Sequence, residues 1–181
     1  MSGKLVILSG PSGVGKDTVL AEWHKVNPQV TRVVACTTRQ PRTSETDGED
    51  YHFLSVQEFL FKIETGDFLE HKEVHGNYYG TPQSAMQTLL DAGKIAVLKI
   101  DVQGALTVMN RRPDAISIFL QPPNDGELER RIRERGLDSD EVIRVRLQNA
   151  LEEMSFADRY DHRIVNDNIP NVVRQLEEAI K

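Results

Sequence analysis

The stretch Lys4-Leu-Val-Ile-Leu8-Ser-Gly10-Pro-Ser12-Gly13-Val14-Gly15-Lys16-Asp17-Thr18 changes character twice. Lys4–Leu8 is a short apolar run and reads as a buried strand. Gly10 to Lys16 follows with the spacing G-x-x-x-x-G-K, and the residues after it read as a helix. In a strand–loop–helix context, glycines let backbone N–H groups converge on phosphate oxygens at a helix N-terminus, and the lysine reaches the β- and γ-phosphates. Gly10, Ser12, Gly13, Val14, Gly15, Lys16 and Thr18 are therefore candidate nucleotide-binding residues, and Lys16 is also a candidate catalytic one.

One position breaks the pattern. After the lysine such a loop carries Ser or Thr, whose hydroxyl ligates Mg²⁺; here Asp17 stands there. A carboxylate suits a hard cation, which makes Asp17 a candidate metal ligand. It also brings negative charge toward a triphosphate, which costs energy unless a metal or a base offsets it. A working site with altered metal handling and an inactive site both remain open at this point.

Outward from the loop, strand-like and helix-like segments alternate. Val33–Thr37, Ile95–Ile100, Ile116–Leu120 and His162–Val165 read as strands. Ser55-Val-Gln-Glu58 is a capping-box pattern opening a helix over Phe59–Glu64, with Gly66 as its stop. Thr81 followed by Pro82 reads as an N-cap with proline at the first helical position, and Gly93 closes that helix. Ser139 starts a helix running to about Phe156, and Pro170 starts the last. The expected architecture is α/β, a mostly parallel sheet covered by helices on both faces. Arg39–Asp50 and Gly126–Arg146 are dense in charge and read as inserts carried on that core.

Composition narrows the function. A chain of 181 residues suits one compact domain, and 39% hydrophobic with 28% charged residues is ordinary for a globular one. Twenty-eight acidic residues against 22 basic ones give a net charge of −6, which argues against a general nucleic-acid coat or a polybasic membrane binder. The single cysteine, Cys36, excludes an internal disulfide framework and a cysteine-built zinc site. No apolar run approaches the roughly 20 residues that span a bilayer. With no leader pattern before the first strand, the expected compartment is the cytoplasm.

A second motif follows the second strand: Thr37-Thr38-Arg39-Gln-Pro-Arg42-Thr-Ser-Glu45-Thr-Asp-Gly48-Glu-Asp-Tyr51. Two closely spaced arginines suit bidentate clamping of one phosphate, and a tyrosine hydroxyl adds a contact. Farther on come Glu70 and Gly76-Asn-Tyr-Tyr79-Gly80-Thr81. Together with the phosphate loop, in this order, the string resembles the guanylate kinase family over nearly the whole chain.

The resemblance implies a P-loop core at 1–36, 83–125 and 147–181, a nucleoside-monophosphate-binding segment at 37–82 and a helical lid at 126–146. It implies ATP on the phosphate loop with Mg²⁺, Asp17 and Asn166 included in the ATP site. It implies GMP held by Arg39, Arg42, Tyr51 and Tyr79 at its phosphate, with Glu45 supporting the arginines. Glu70 would accept from guanine N1–H and the 2-amino group, with Thr81 at the O6 side. Gly80 and Asp101 belong to the same expected site. A carboxylate facing two donors favours guanine over adenine.

Leu98-Lys99-Ile-Asp101-Val-Gln-Gly104 is similar to the family's Leu-Asp-Ile-Asp-x-Gln-Gly. Lys99 replaces the first acid, and Ala35 stands where the family usually has serine. Asp17 and Lys99 are expected either to pair, or to leave Asp17 an acidic role at Mg²⁺, or to be independent. In the lid, Arg131, Arg135 and Arg146 are the expected catalytic arginines; Arg130, Arg133 and Arg144 are expected to be solvated. Trp23 is expected to pack rather than stack, and the five histidines show no metal-ligand spacing.

The resulting expectation is an enzyme converting ATP and GMP to ADP and GDP, a monomer or homodimer without nucleic-acid or membrane partners. Two alternatives are a ribose 1,5-bisphosphate phosphokinase, which shares the fold and a Gly-Lys-Asp loop, and a catalytically silent phospholigand-binding module.

Overall fold

Alternate residues of the first strand face opposite ways, and each set has its own core. The structure, a computed structural model, describes residues 3–74, 76–134 and 139–181. In β1 (Lys4–Ser9), Val6 and Leu8 pack with Trp23, Val172 and Leu176, whereas Leu5 and Ile7 pack with Leu98, Val102, Ala105 and Met86. A strand buried on both faces needs a continuous apolar run, which is why Lys4–Leu8 does not alternate.

The helices supply the two coats. One coat is α1 (Lys16–Val26) and α7 (Ile169–Ala179); the other is α3 (Gln83–Asp91) and α4 (Val102–Arg111). Between them lies a five-stranded parallel sheet, β2 (Val30–Arg32), β7 (Ile95–Lys99), β1, β8 (Ile116–Gln121) and β9 (His162–Val165) in that spatial order. The order reverses at β1, so its C-terminal end and those of its neighbours open onto the crevice where ligands bind in such folds. Trp23 is fully buried and donates its indole N–H to Glu177.

A second, four-stranded sheet is formed by β4 (His52–Phe53), β3 (Cys36–Thr37), β6 (Asn77–Pro82) and β5 (Phe68–Val74) in that spatial order. α2 (Val56–Glu64) covers it through Phe59, stacked on Phe68 at 4.4 Å between centroids. Both halves of the Ser55–Glu58 capping box are present, and Gly66 at φ 73° follows the helix end.

Two expected boundaries move. Val33–Thr37 is not one strand: Val30–Arg32 pairs with β7, and Cys36–Thr37 pairs in the small sheet, because the chain passes from one sheet to the other there. Pro82 ends β6 and occupies the N-cap of α3, so Thr81 is a strand residue and not a cap. The charged stretch forms α5 (Asp125–Glu134) and α6 (Asp140–Met154), the latter N-capped by Ser139. Among the described residues, no helix is long and apolar enough to cross a membrane.

Candidate active site

The phosphate loop is built by glycines that admit no side chain. Gly10, Gly13 and Gly15 have φ of 144°, 86° and 100°. A Cβ at Gly10 would lie 2.4 Å from the Leu120 carbonyl oxygen, and one at Gly15 would lie 2.8 Å from Asn166 Nδ2. Positive φ and crowding together exclude other residues. Lys16 opens α1 and folds its ammonium back onto the Gly10 and Pro11 carbonyls at 2.5 and 3.1 Å.

Two residues from elsewhere hold the loop. Asn166, buried just beyond β9, donates Nδ2–H to the Val14 carbonyl at 2.7 Å. Arg131 of α5 donates to the same carbonyl and to that of Asn166, each at 3.1 Å, and to Glu127 at 2.7 Å. Its neighbours Arg130 and Arg133 instead make exposed pairs along the helices. The Ser12 N–H donates to Glu153 of α6 at 3.2 Å. Arg146 is half-buried about two turns earlier on that helix. Arg135 lies outside the described residues.

Asp17, the exposed residue after Lys16, pairs with Lys99 at the C-terminal end of β7. The pairing follows from the sheet: Leu8 is opposite Lys99 in the β1–β7 register, so the strand end and the start of α1 flank the same opening.

Beside the loop is a cavity of about 280 Å³, with Glu70, Lys72, Tyr51, Tyr79, Lys16 and Asp101 in its wall. Gly80 and Ala35 also line it. Lys16 and Asp101 belong as well to a smaller cavity over the phosphate loop, shared with Asp17 and Glu153, so the two openings meet at those residues. Thr18 lines a third, with Arg131 and Asn166.

Glu70 owes its position to a β-bulge. The β5–β6 register shifts between Phe68 and Glu70, which sets Glu70 opposite Thr81. Thr81 Oγ1 donates to Glu70 Oε1 at 2.6 Å, and both residues are buried. Burial pushes the Glu70 carboxyl above its ordinary value, with the Thr81 hydrogen bond opposing. A Cβ at Gly104 would stand 3.0 Å from Glu70 Oε2, so glycine there leaves the carboxylate its room. Gly80, across the sheet, is needed for packing as well: a Cβ would meet Phe68 at 2.9 Å.

Asp101 N-caps α4, accepting from the Gly104 N–H at 2.8 Å, and pairs with Lys72. Burial lowers the Lys72 ammonium, with the Glu70 charge opposing. Lys72 lies two residues along β5 from Glu70, hence on the same sheet face. The sequence reading overlooked it, although this alternation was its signal.

The remaining cluster is an arginine fork. Arg39 Nη1 and Nη2 donate to the two oxygens of Glu45, each at 2.9 Å, and Glu45 also accepts the Arg42 backbone N–H at 2.8 Å. Hydrogen bonds from Arg39, then from Arg42, hold the Glu45 carboxyl down at about 2. The Arg39 guanidinium lies 5.6 Å from the Tyr51 ring centroid, and Tyr51 meets Tyr79 edge-on at 6.1 Å. Arg42 is exposed.

A phosphate loop opening onto a second cavity, with an arginine fork beside that cavity and a buried carboxylate in its wall, defines a P-loop kinase acting on a small acceptor. The family model for guanylate kinase matches residues 2–181. A guanylate kinase of Clostridium perfringens is 43% identical over 178 residues, covering 98% of this chain and 82% of that one. One from Gloeobacter violaceus is 48% identical over 177 residues, covering 98% and 86%. The crystal structure of guanylate kinase from Anaplasma phagocytophilum superposes with a TM-score of 0.78 at 34% identity, covering 98% and 84%. The chain belongs to the guanylate kinase family.

Proposed function

We propose that this chain is an ATP:GMP phosphotransferase, moving the γ-phosphoryl group of ATP to GMP and giving ADP and GDP. The observation that carries the reading is buried Glu70, held by the Thr81 hydroxyl, in the wall of the cavity that Lys16 and Asp101 join to the phosphate loop. Glu70 accepts from guanine N1–H and the 2-amino group; Thr81 serves the O6 side. Adenine offers a different edge and leaves the buried carboxylate unsatisfied. A sugar bisphosphate has no such donor pair, so this reading is preferred over a ribose 1,5-bisphosphate acceptor.

Arg39, Arg42, Tyr51 and Tyr79 hold the GMP phosphate, and Glu45 keeps the Arg39 guanidinium oriented. ATP lies on Gly10–Thr18 with Asn166 behind the loop. Lys16 leaves the Gly10 and Pro11 carbonyls for the phosphates, and Arg131, Arg135 and Arg146 add charge over them. A phosphate oxygen of GMP attacks the γ-phosphorus; the new O–P bond forms as the bridging bond to ADP breaks. Positioning and charge stabilisation account for most of the catalysis in such a transfer. Segments 37–82 and 126–146 close over the substrates and exclude water.

Asp17 would hold the Mg²⁺ that accompanies ATP. Asp17 and Asp101 line the cavity over the phosphate loop, and among the described residues no cluster of three or more ligating side chains forms a protein cage. That donor set fits an ion bound by one or two carboxylates and by phosphate oxygens. When bound, the ion supplies charge neutralisation at the bridging phosphates. The net charge of −6 supports small-molecule partners without nucleic acid.

Calorimetric titration tests the base reading: GMP binds at least about tenfold more tightly than AMP, and Glu70→Gln removes most of that difference. Equal binding of the two nucleotides by the unaltered chain contradicts it.

A further inference from the structure

The P-loop hydroxyl and the acid at the neighbouring strand end are the usual protein ligands of Mg²⁺ in P-loop enzymes. In this chain both positions differ, an acid (Asp17) for the neutral hydroxyl and a base (Lys99) for the acid, and the two side chains pair directly. We infer that Asp17 and Lys99 form an exchange pair, in which Lys99 neutralises the carboxylate until Mg·ATP arrives and then turns its ammonium to the phosphates. This rests on the reading of Asp17 as the metal ligand.

Three observations support it. The Lys99 side chain is 14% exposed and that of Asp17 is 64% exposed, so solvent and an incoming ion reach the carboxylate before the ammonium. Lys99 lines the acceptor cavity with Lys16, and Asp17 lines the cavity over the phosphate loop, so the pair spans the junction across which a phosphoryl group passes. Asp17 stands in the first turn of α1, which follows β1, and Lys99 ends β7, which pairs with β1 in parallel register, so both backbones flank the same opening.

Physically, an unpaired carboxylate one residue beyond the phosphate-binding lysine repels a triphosphate. Lys99 removes that repulsion while no metal is present. The Lys99 ammonium, displaced from Asp17 by a divalent cation, would then stand as a second positive charge beside Lys16. Lys99 is thus a positioning residue for Asp17 and, with the metal in place, a further phosphate-directed charge.

The test is the ratio of ATP affinity with Mg²⁺ to that in EDTA, measured by calorimetry on the unaltered chain, Asp17→Asn, Lys99→Met and the double variant. Denaturant unfolding of each variant reports that the fold is intact. The unaltered chain shows a clear Mg²⁺ enhancement. Asp17→Asn reduces it about tenfold or more while ATP in EDTA binds as well or better; Lys99→Met weakens ATP in EDTA about tenfold with a smaller effect on Mg·ATP. The double variant departs from the product of the single effects. An enhancement equal in the unaltered chain and Asp17→Asn, or single effects that multiply, overturns the inference alone. An unaltered chain indifferent to Mg²⁺ overturns the metal reading as well.

Discussion

Glu45 accepts both terminal nitrogens of Arg39 and the backbone N–H of Arg42, so one carboxylate fixes the fork and the turn that carries the next arginine. Replacing it should loosen the site proposed for the GMP phosphate and leave the phosphate loop alone. Glu45→Gln is expected to weaken GMP about tenfold, with ATP affinity changed less than twofold in the same titrations.

The same contact carries a pH dependence. Its carboxyl is held at about 2 against an ordinary 4.5, so its stabilisation is complete above the ordinary value and is lost as pH falls toward the lower one. Denaturant unfolding of the unaltered chain and Glu45→Gln between those limits should show a stability difference that shrinks on acidification. A constant difference would count against the bidentate contact.

Glu70 behaves oppositely. Burial raises its carboxyl, so the folded state favours the protonated form and its stabilising share is lost as pH rises through the raised value. Guanine donors need the ionised form. GMP affinity relative to that of Glu70→Gln should therefore decline on acidification at a pH above the ordinary 4.5 of a glutamate. The ratio cancels the titration of the GMP phosphate itself, and a flat ratio would remove Glu70 from base recognition.

Gly104 tests the room behind Glu70. It sits in α4 with no positive φ, so alanine suits its backbone, yet the new Cβ would stand 3.0 Å from Glu70 Oε2 and 3.3 Å from Asp101 Oδ1. Gly104→Ala is expected to fold with a helix gain of up to about 1 kcal/mol, offset by that crowding, and to bind ATP normally. GMP affinity should fall by about tenfold or more as the carboxylate is displaced.

Asn166 ties the phosphate loop to the sheet. Asn166→Ala removes the bond to the Val14 carbonyl in a buried place, at a cost of about 1–3 kcal/mol in denaturant unfolding, and should weaken ATP more than GMP.

The core was legible because its physics is local. An apolar run, a glycine loop and a helix start in sequence order require the phosphate cradle, and Ser55 and Ser139 both act as the helix caps their sequence suggested. The β5–β6 hairpin escaped the reading, because β5 bears Glu70, Lys72 and other charges that disguise its alternation as a polar stretch. The bulge before Glu70 and the partners of Thr81 depend on pairing between segments, which no local pattern reports. Lys72 has a local signal, its i, i+2 spacing from Glu70, but that spacing is legible only once β5 is recognised as a strand. The Asp17–Lys99 contact was one of several open expectations, since a sequence carries no distance between residues so far apart.

The most direct measurement is ADP release from Mg·ATP with GMP, AMP and ribose 1,5-bisphosphate supplied separately. The account predicts rapid turnover with GMP and little with the other two. Turnover on ribose 1,5-bisphosphate in preference to GMP, or GMP binding without any ADP release, would contradict it.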